Sequence, residues 1–156
     1  MTTPTATPLL DGLVTFLRED GWPVSRPSGP VPTVETRCAG ATAEWQCTGR
    51  TFEQKGQVVF DSSVPVEVPQ DMGPAIGLLL AAANWTLPTG AFALDPATGQ
   101  VRLRTSLVTG DSTLDPSASK ALVHDNVLIV ERCLPALVAV TTGTLDLAEA
   151  LERLDP

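Results

Sequence analysis

The chain has no tyrosine and only four phenylalanines and three tryptophans among its 156 residues, so Leu, Val and Ala must supply most of the core. Basic residues are scarce too. Ten Lys and Arg stand against eighteen Asp and Glu, a formal net charge of −8. That balance repels phosphate backbones at long range and disfavours direct binding to DNA or RNA. It suits a protein client with a basic surface, including a basic nucleic-acid-binding protein to which this chain would be an accessory. Long apolar runs are missing as well. The longest, Ile76 to Ala83, falls far short of the roughly 20 residues a membrane span requires. Met1-Thr2-Thr3-Pro4 has neither a basic leader nor an apolar segment, which predicts a cytoplasmic protein with no membrane association. Metal ligands are too few: His124 is the only histidine, and Cys38, Cys47 and Cys133 match no finger or ribbon spacing. The three cysteines are expected as buried thiols, although Cys38 and Cys47 are also placed to face each other across a hairpin. No cofactor is implied.

A chain of this length buries about 70% of the surface its unfolded form exposes and needs no staple to fold. Residues 1–7, rich in Thr and Pro, are expected to be disordered. Leu9, Leu10, Leu13, Val14 and Leu17 then recur at helical spacing, and Gly21 with Pro23 ends that helix. The Pro- and Gly-rich stretch from Arg26 to Pro32 reads as a loop. Beyond it the period drops to two. Val34, Thr36 and Cys38, and after a turn near Gly40 also Trp45, Cys47 and Gly49, point to the core. Glu35, Arg37, Glu44, Gln46, Thr48 and Arg50 take the opposite phase. A third run, Gln57 to Val68, turns Val58, Phe60 and Val64 inward and is bent or ended by Pro65 and Pro69.

Asp71 is expected to cap a helix running from about Met72 to Leu87 with no further charge. Ile76, Leu79, Leu80 and Ala83 form one face, and Leu78, Ala82 and Trp85 form a second. A helix apolar on both sides must be covered on both. The second face needs a neighbouring helix or a second subunit, and we assign its three residues to a dimer interface. A hairpin follows, with Gly90 to Leu94 and Gln100 to Leu107 flanking the turn Asp95-Pro96-Ala97-Thr98-Gly99. Its return strand sends Val101, Leu103, Thr105 and Leu107 inward and Arg102, Arg104 and Ser106 outward.

Asp115-Pro116 opens a long helix to about Thr142, kinked at Pro135 and stopped by Gly143. It carries Leu122, Val123, Val127, Val130, Leu134, Leu137 and Val138. Leu145, Leu147, Leu151 and Leu154 mark a final helix, with Asp146 and Glu149 in capping-box register. The order α-β-β-β-α-β-β-α-α predicts an α+β domain: a five-stranded antiparallel sheet with helices on one face.

No catalytic constellation emerges. His124 and Asp125 are helix neighbours and do not face each other. Cys47 falls on the core phase, where thiols are inert. Asp61 and Glu67 read as solvated surface acids, and the sequon Asn84-Trp85-Thr86 as a chance match. The chain therefore reads as a non-enzyme with two candidate contact surfaces. Arg37, Arg50, Arg102 and Arg104 share the polar phase of their strands. They form either a solvated face with partners such as Glu35 and Glu44 or a dock for an acidic segment or a nucleic-acid strand. In the docking case, reversing Arg102 and Arg104 to Glu abolishes binding without lowering the melting temperature. The second surface is the tail, where Asp146, Glu149, Glu152 and Asp155 oppose only Arg153. It either packs on the domain through its leucines or swings out toward a basic partner.

Val66-Glu67-Val68-Pro69, the helix ending at Asn84, the strand Gly90-Ala91-Phe92-Ala93-Leu94-Asp95 and its return Gly99-Gln100-Val101-Arg102-Leu103-Arg104 resemble the bacterial YbjN family. The terminal helix with Glu131-Arg132 and Pro135 before Gly143 resembles it as well. The likeness covers roughly residues 30 to 143 and rests on structural landmarks. It implies the fold of type III secretion chaperones, a dimer, and a scaffold that binds segments of other proteins. It brings no catalytic residues, and the chain departs from many relatives in its few aromatics. Residues 8–143 are thus expected as a YbjN-like domain, followed by an acidic helix or tail over 144–156. The expected function is a dimeric adaptor or chaperone for a protein client. The alternatives are a ligand-responsive regulatory module and an accessory to a basic nucleic-acid-binding protein.

Overall fold

The computed structural model describes residues 5–110 and 113–154, so the expectations for the first four residues and for Asp155 lie outside it. Helix α1 (Pro8–Glu19) buries Leu9, Leu10, Leu13, Val14 and Leu17, the stripe its spacing predicts. Thr7 gives its first turn no side-chain cap. The carboxylate of Glu53 takes that place from 44 residues away, accepting the amides of Leu9 at 3.0 Å and Leu10 at 3.1 Å. A negative group there also meets the positive end of the helix dipole. Gly21, at φ 83°, turns the chain out of α1, and the Trp22 amide reaches back to the Leu17 carbonyl at 2.8 Å.

Strands β1 (Thr33–Ala39), β2 (Glu44–Phe52) and β3 (Gln57–Glu67) form a meander, and β4 (Ala91–Leu94) pairs with β5 (Gln100–Val108). β5 then lies against β3, giving one antiparallel sheet in the order β1-β2-β3-β5-β4. Pro65 sits in an irregularity of β3 between Val64 and Glu67, where the register with β5 shifts. The inward phases are as expected, and α1 and α3 (Pro116–Thr141) cover that face. α1 packs over β2 at Gly49. A β-carbon there would stand 2.6 Å from a Leu13 methyl and 2.8 Å from a Val34 methyl, so a larger residue requires these buried side chains to shift.

The register sets Cys38 opposite Trp45 and Cys47 opposite Thr36, so the two thiols do not face each other. All three cysteines are free and buried. Burial pushes the Cys38 and Cys133 thiols up to about 11 and that of Cys47 up to about 12.

Helix α2 (Gly73–Thr86) buries Ile76, Leu79, Leu80 and Ala83. Asp71 does not cap it. That residue lies in the 3-10 turn Gln70–Met72, and the cap position belongs to Met72, which offers no side-chain bond. Near its other end Asn84 clasps the edge strand. Its amide donates to the Phe92 carbonyl at 3.0 Å and its carbonyl accepts the Phe92 amide at 2.7 Å. The sequon asparagine is thus a structural clamp.

Asp115 caps α3, accepting the Ala118 amide at 2.8 Å, and the helix runs through Pro135. Leu122, Val123, Val130, Leu134 and Leu137 are buried, whereas Val138 faces solvent; Asn126, Ile129 and Cys133 take up buried positions the apolar pattern did not assign. Asn126 is fully buried and satisfied. It accepts the Ser62 hydroxyl at 2.6 Å and donates to the Phe60 carbonyl at 2.9 Å and to Thr105 Oγ1 at 3.1 Å. Ser62 in turn accepts Trp45 Nε1 at 3.0 Å, and Thr105 donates to the Leu122 carbonyl at 2.7 Å. This network fixes α3 over β3 and β5. α4 (Leu147–Arg153) forms the expected capping box between Asp146 and Glu149, and Leu145, Leu147, Ala150, Leu151 and Leu154 pack on the common core.

Candidate partner-binding surfaces

The helices leave the other face of the sheet open, and the strand register fixes what stands on it. Glu35, Thr48, Asp61, Arg104 and Ala91 form one cross-strand row. Arg102 stands beside Ser63 and Ala93 in the next, and Arg50 lies opposite Val59 on the other side. All four predicted arginines therefore share this face, against Glu35, Glu44 and Asp61.

Their roles differ. Asp61, read from sequence as a solvated acid, is instead the hub of the face, with its side chain only 12% exposed. Arg104 donates to it through Nε at 2.7 Å and Nη2 at 2.9 Å, and Arg50 through Nη2 at 2.5 Å. Burial works to raise the Asp61 carboxyl, but the two guanidiniums outweigh it and hold the group below its usual range. The bond to Asp61 raises Arg104 in return. Arg37 makes an exposed pair with Glu44 at 3.6 Å. Glu35 contributes main chain, exchanging backbone hydrogen bonds with Ser25, and no ion pair among the described residues. Arg102 is exposed and has no ion-pair or hydrogen-bond partner among the described residues. The paired reversal of Arg102 and Arg104 thus mixes two effects, because Arg104 holds the face together and Arg102 does not.

Thr48, Ser63 and Ala93 are small, and above them the face sinks into a depression of about 490 Å³. Arg50, Asp61, Arg102, Asp95 and Gln100 line it. Nε of Arg50 is buried with no acceptor among the described residues. Asp95 is occupied locally, accepting the Ala97 amide at 2.9 Å and the Thr98 hydroxyl at 3.0 Å.

The second surface is the outer side of α2. Leu78 and Trp85 are 54% and 90% exposed, with Ala82 half-buried between them. The expectation that both apolar sides of this helix are covered fails within a single chain. The third surface is α4, whose Asp146, Glu149 and Glu152 are exposed on the helical side of the molecule.

His124 does not meet Asp125. It bonds instead to Asp20 at 2.7 Å, which also accepts Trp22 Nε1 at 2.8 Å, tying the end of α1 to α3. The bonds from His124 and Trp22 lower the Asp20 carboxyl. Among the described residues no group of three His, Cys, Asp or Glu side chains is placed to hold a metal, and no helix is long and apolar enough to cross a membrane.

No family model and no curated protein sequence matches the chain. Solved structures do. The chain resembles YbjN from E. coli, a candidate transcription regulator, with a TM-score of 0.61 and 14% identity over 90% of this chain and 96% of that one. It also resembles a chain of the ExsC–ExsE complex, with a TM-score of 0.59 and 18% identity over 83% of this chain and 92% of that one. At these identities the likeness establishes the fold, which is the YbjN-like, secretion-chaperone-like α+β architecture expected from sequence.

Proposed function

We propose that the chain is a non-enzymatic adaptor or chaperone-like module that binds a protein client as a homodimer in the cytoplasm. The observation that carries this is the outer side of α2. Gly73–Thr86 holds no charged residue, and its outward stripe presents Leu78, Ala82 and a Trp85 that is 90% exposed. Water gains nothing from such a surface, and tryptophan is the side chain that most often anchors protein contacts. Leu78, Ala82 and Trp85 repeat at four and three residues, so a second copy related by a twofold axis can lay the same stripe against it. The client surfaces are then the arginine face and α4, on opposite sides of each subunit. The fold supports the reading, since one structure that shares it is a complex of two proteins.

Two measurements test this. Light scattering should give twice the chain mass for the wild type and the chain mass for Trp85→Glu, with both folded by circular dichroism. A monomeric wild type refutes the dimer. Nuclease-treated affinity capture from the native host should recover one or two proteins in near-stoichiometric amounts; a folded bait that enriches none refutes the adaptor. The outer-face depression favours a second reading, a ligand-responsive regulatory module, which a thermal-shift screen of small molecules would reveal.

A further inference from the structure

Resting on the adaptor reading, we infer that the outer-face depression is a carboxylate-binding site that takes an acidic segment of the client. Arg50 and Arg102 line one cavity of about 490 Å³. Arg102 is free of partners among the described residues, while Arg50 spends Nη2 on Asp61 and leaves Nε buried without an acceptor. An orphaned buried donor carries a desolvation cost that an acceptor entering the depression would remove. Guanidinium forks match the two oxygens of a carboxylate.

The surroundings exclude other assignments of these two groups. Asp61 already takes three hydrogen bonds from Arg50 and Arg104, and Asp95 is engaged by its own turn. Neither competes for Arg102. The floor of Thr48, Ser63 and Ala93 leaves room for an extended backbone to lie across the strands. The chain as a whole carries −8, but the acids of α4 lie on the helical side, and charges separated by more than about 8 Å are screened at physiological salt. In the depression Arg50 and Arg102 are matched in number by Asp61 and Asp95, but both acids are already engaged, so Arg102 is the charge left to select a partner, opposite in sign to the one the net charge selects.

The test uses fluorescein-labelled octaglutamate and octaglutamine with the intact protein, read by anisotropy. Octaglutamate is expected to bind saturably and to weaken as salt rises, with octaglutamine at least tenfold weaker. Arg102→Gln should weaken octaglutamate at least tenfold at an unchanged melting temperature. Equal binding of the two peptides, or undiminished binding by Arg102→Gln, overturns the inference. So does displacement of the peptide by micromolar free glutarate, which would make the depression a small-molecule site. Affinity capture with Arg102→Gln separates this failure from that of the adaptor: the same proteins recovered as with wild type leave the adaptor standing and remove the carboxylate site.

Discussion

Replacing Asn126 by alanine removes a side chain that, with Thr105, joins β3, β5 and α3 in a single hydrogen-bonded unit. Its amide accepts the Ser62 hydroxyl at 2.6 Å and donates to the Phe60 carbonyl and to Thr105 Oγ1, all within the dry interior. The variant loses these bonds and opens a small void. Each buried polar group left without a partner costs about 1–3 kcal/mol, and bifurcated carbonyls lie at the lower end. Ser62 keeps its contact with Cys47 at 3.3 Å, which limits the loss on that side. A total of roughly 2–4 kcal/mol is expected, and a domain of this size loses about 2–4 °C of melting temperature per kcal/mol. The melting temperature should therefore fall by roughly 5–15 °C. Urea unfolding followed by circular dichroism measures the loss, and a cycle with Ser62→Ala measures the coupling. We expect the double variant to cost about 1 kcal/mol less than the sum of the singles. A loss below about 0.5 kcal/mol for Asn126→Ala, or strict additivity with Ser62→Ala, refutes the account of the network.

Asp61→Asn should lower stability at neutral pH and flatten the acid limb. The folded carboxyl lies below its ordinary 3.8, so its contribution is full above that value and fades as pH falls through and below it. A variant that keeps the wild-type acid limb in pH-dependent urea titrations contradicts the hub. The thiols act at the other end of the scale. Their ordinary value of 9.0 rises to about 11 for Cys38 and Cys133 and about 12 for Cys47, so stability is full below 9 and is lost as pH climbs from there toward 11 and 12. At pH 8 Ellman's reagent should find no reactive thiol in the native protein and three in urea; fast native reaction would contradict their burial. Glu53→Ala should cost about 1–2 kcal/mol by stripping the Leu9 and Leu10 amides of their acceptor, and an unchanged urea midpoint would show that α1 needs no such cap. Ser119→Ala should be neutral or stabilising by up to about 1 kcal/mol, since its buried hydroxyl has no partner among the described residues; a clear loss of stability would show that it has one.

Much of the fold is local and was legible as such. The stripe of α1, the alternation in β1 and β2, the turn from Asp95 to Gly99 and the capping box of α4 each depend on neighbours a few residues away. What escaped depends on long closures. Glu53 meets Leu9 across 44 residues, Ser62 meets Asn126 across 64, and Arg104 meets Asp61 across 43. A signal for one of these was present: Asn126 stands in helical phase with Leu122 and Val130, and Ser62 stands in strand phase with Phe60 and Val64. A polar residue in the apolar phase of two elements calls for a buried partner. The arginines were placed on the right face because period two decides faces. Their division into paired and free was hidden, because it turns on which strand lies beside which: β5 next to β3 across the intervening α2 and β4. The misassigned cap at Asp71 has a similar origin, since a 3-10 turn before α2 displaced the cap and the helix start by one residue.

The clamp of Asn84 on Phe92 bears on how many chains one sheet can recruit. It occupies both main-chain groups of that residue on the outer side of the four-residue β4, which blocks regular strand addition at the middle of that edge. At the far edge Ser25 covers only Glu35, and by antiparallel alternation the backbone groups of Arg37 and Ala39 also turn outward. Growth of the sheet from molecule to molecule requires two open edges, a donor side and an acceptor side. This chain has half of one. A strand that joins at Arg37 pairs with β1 alone, so each subunit recruits one added strand at that edge.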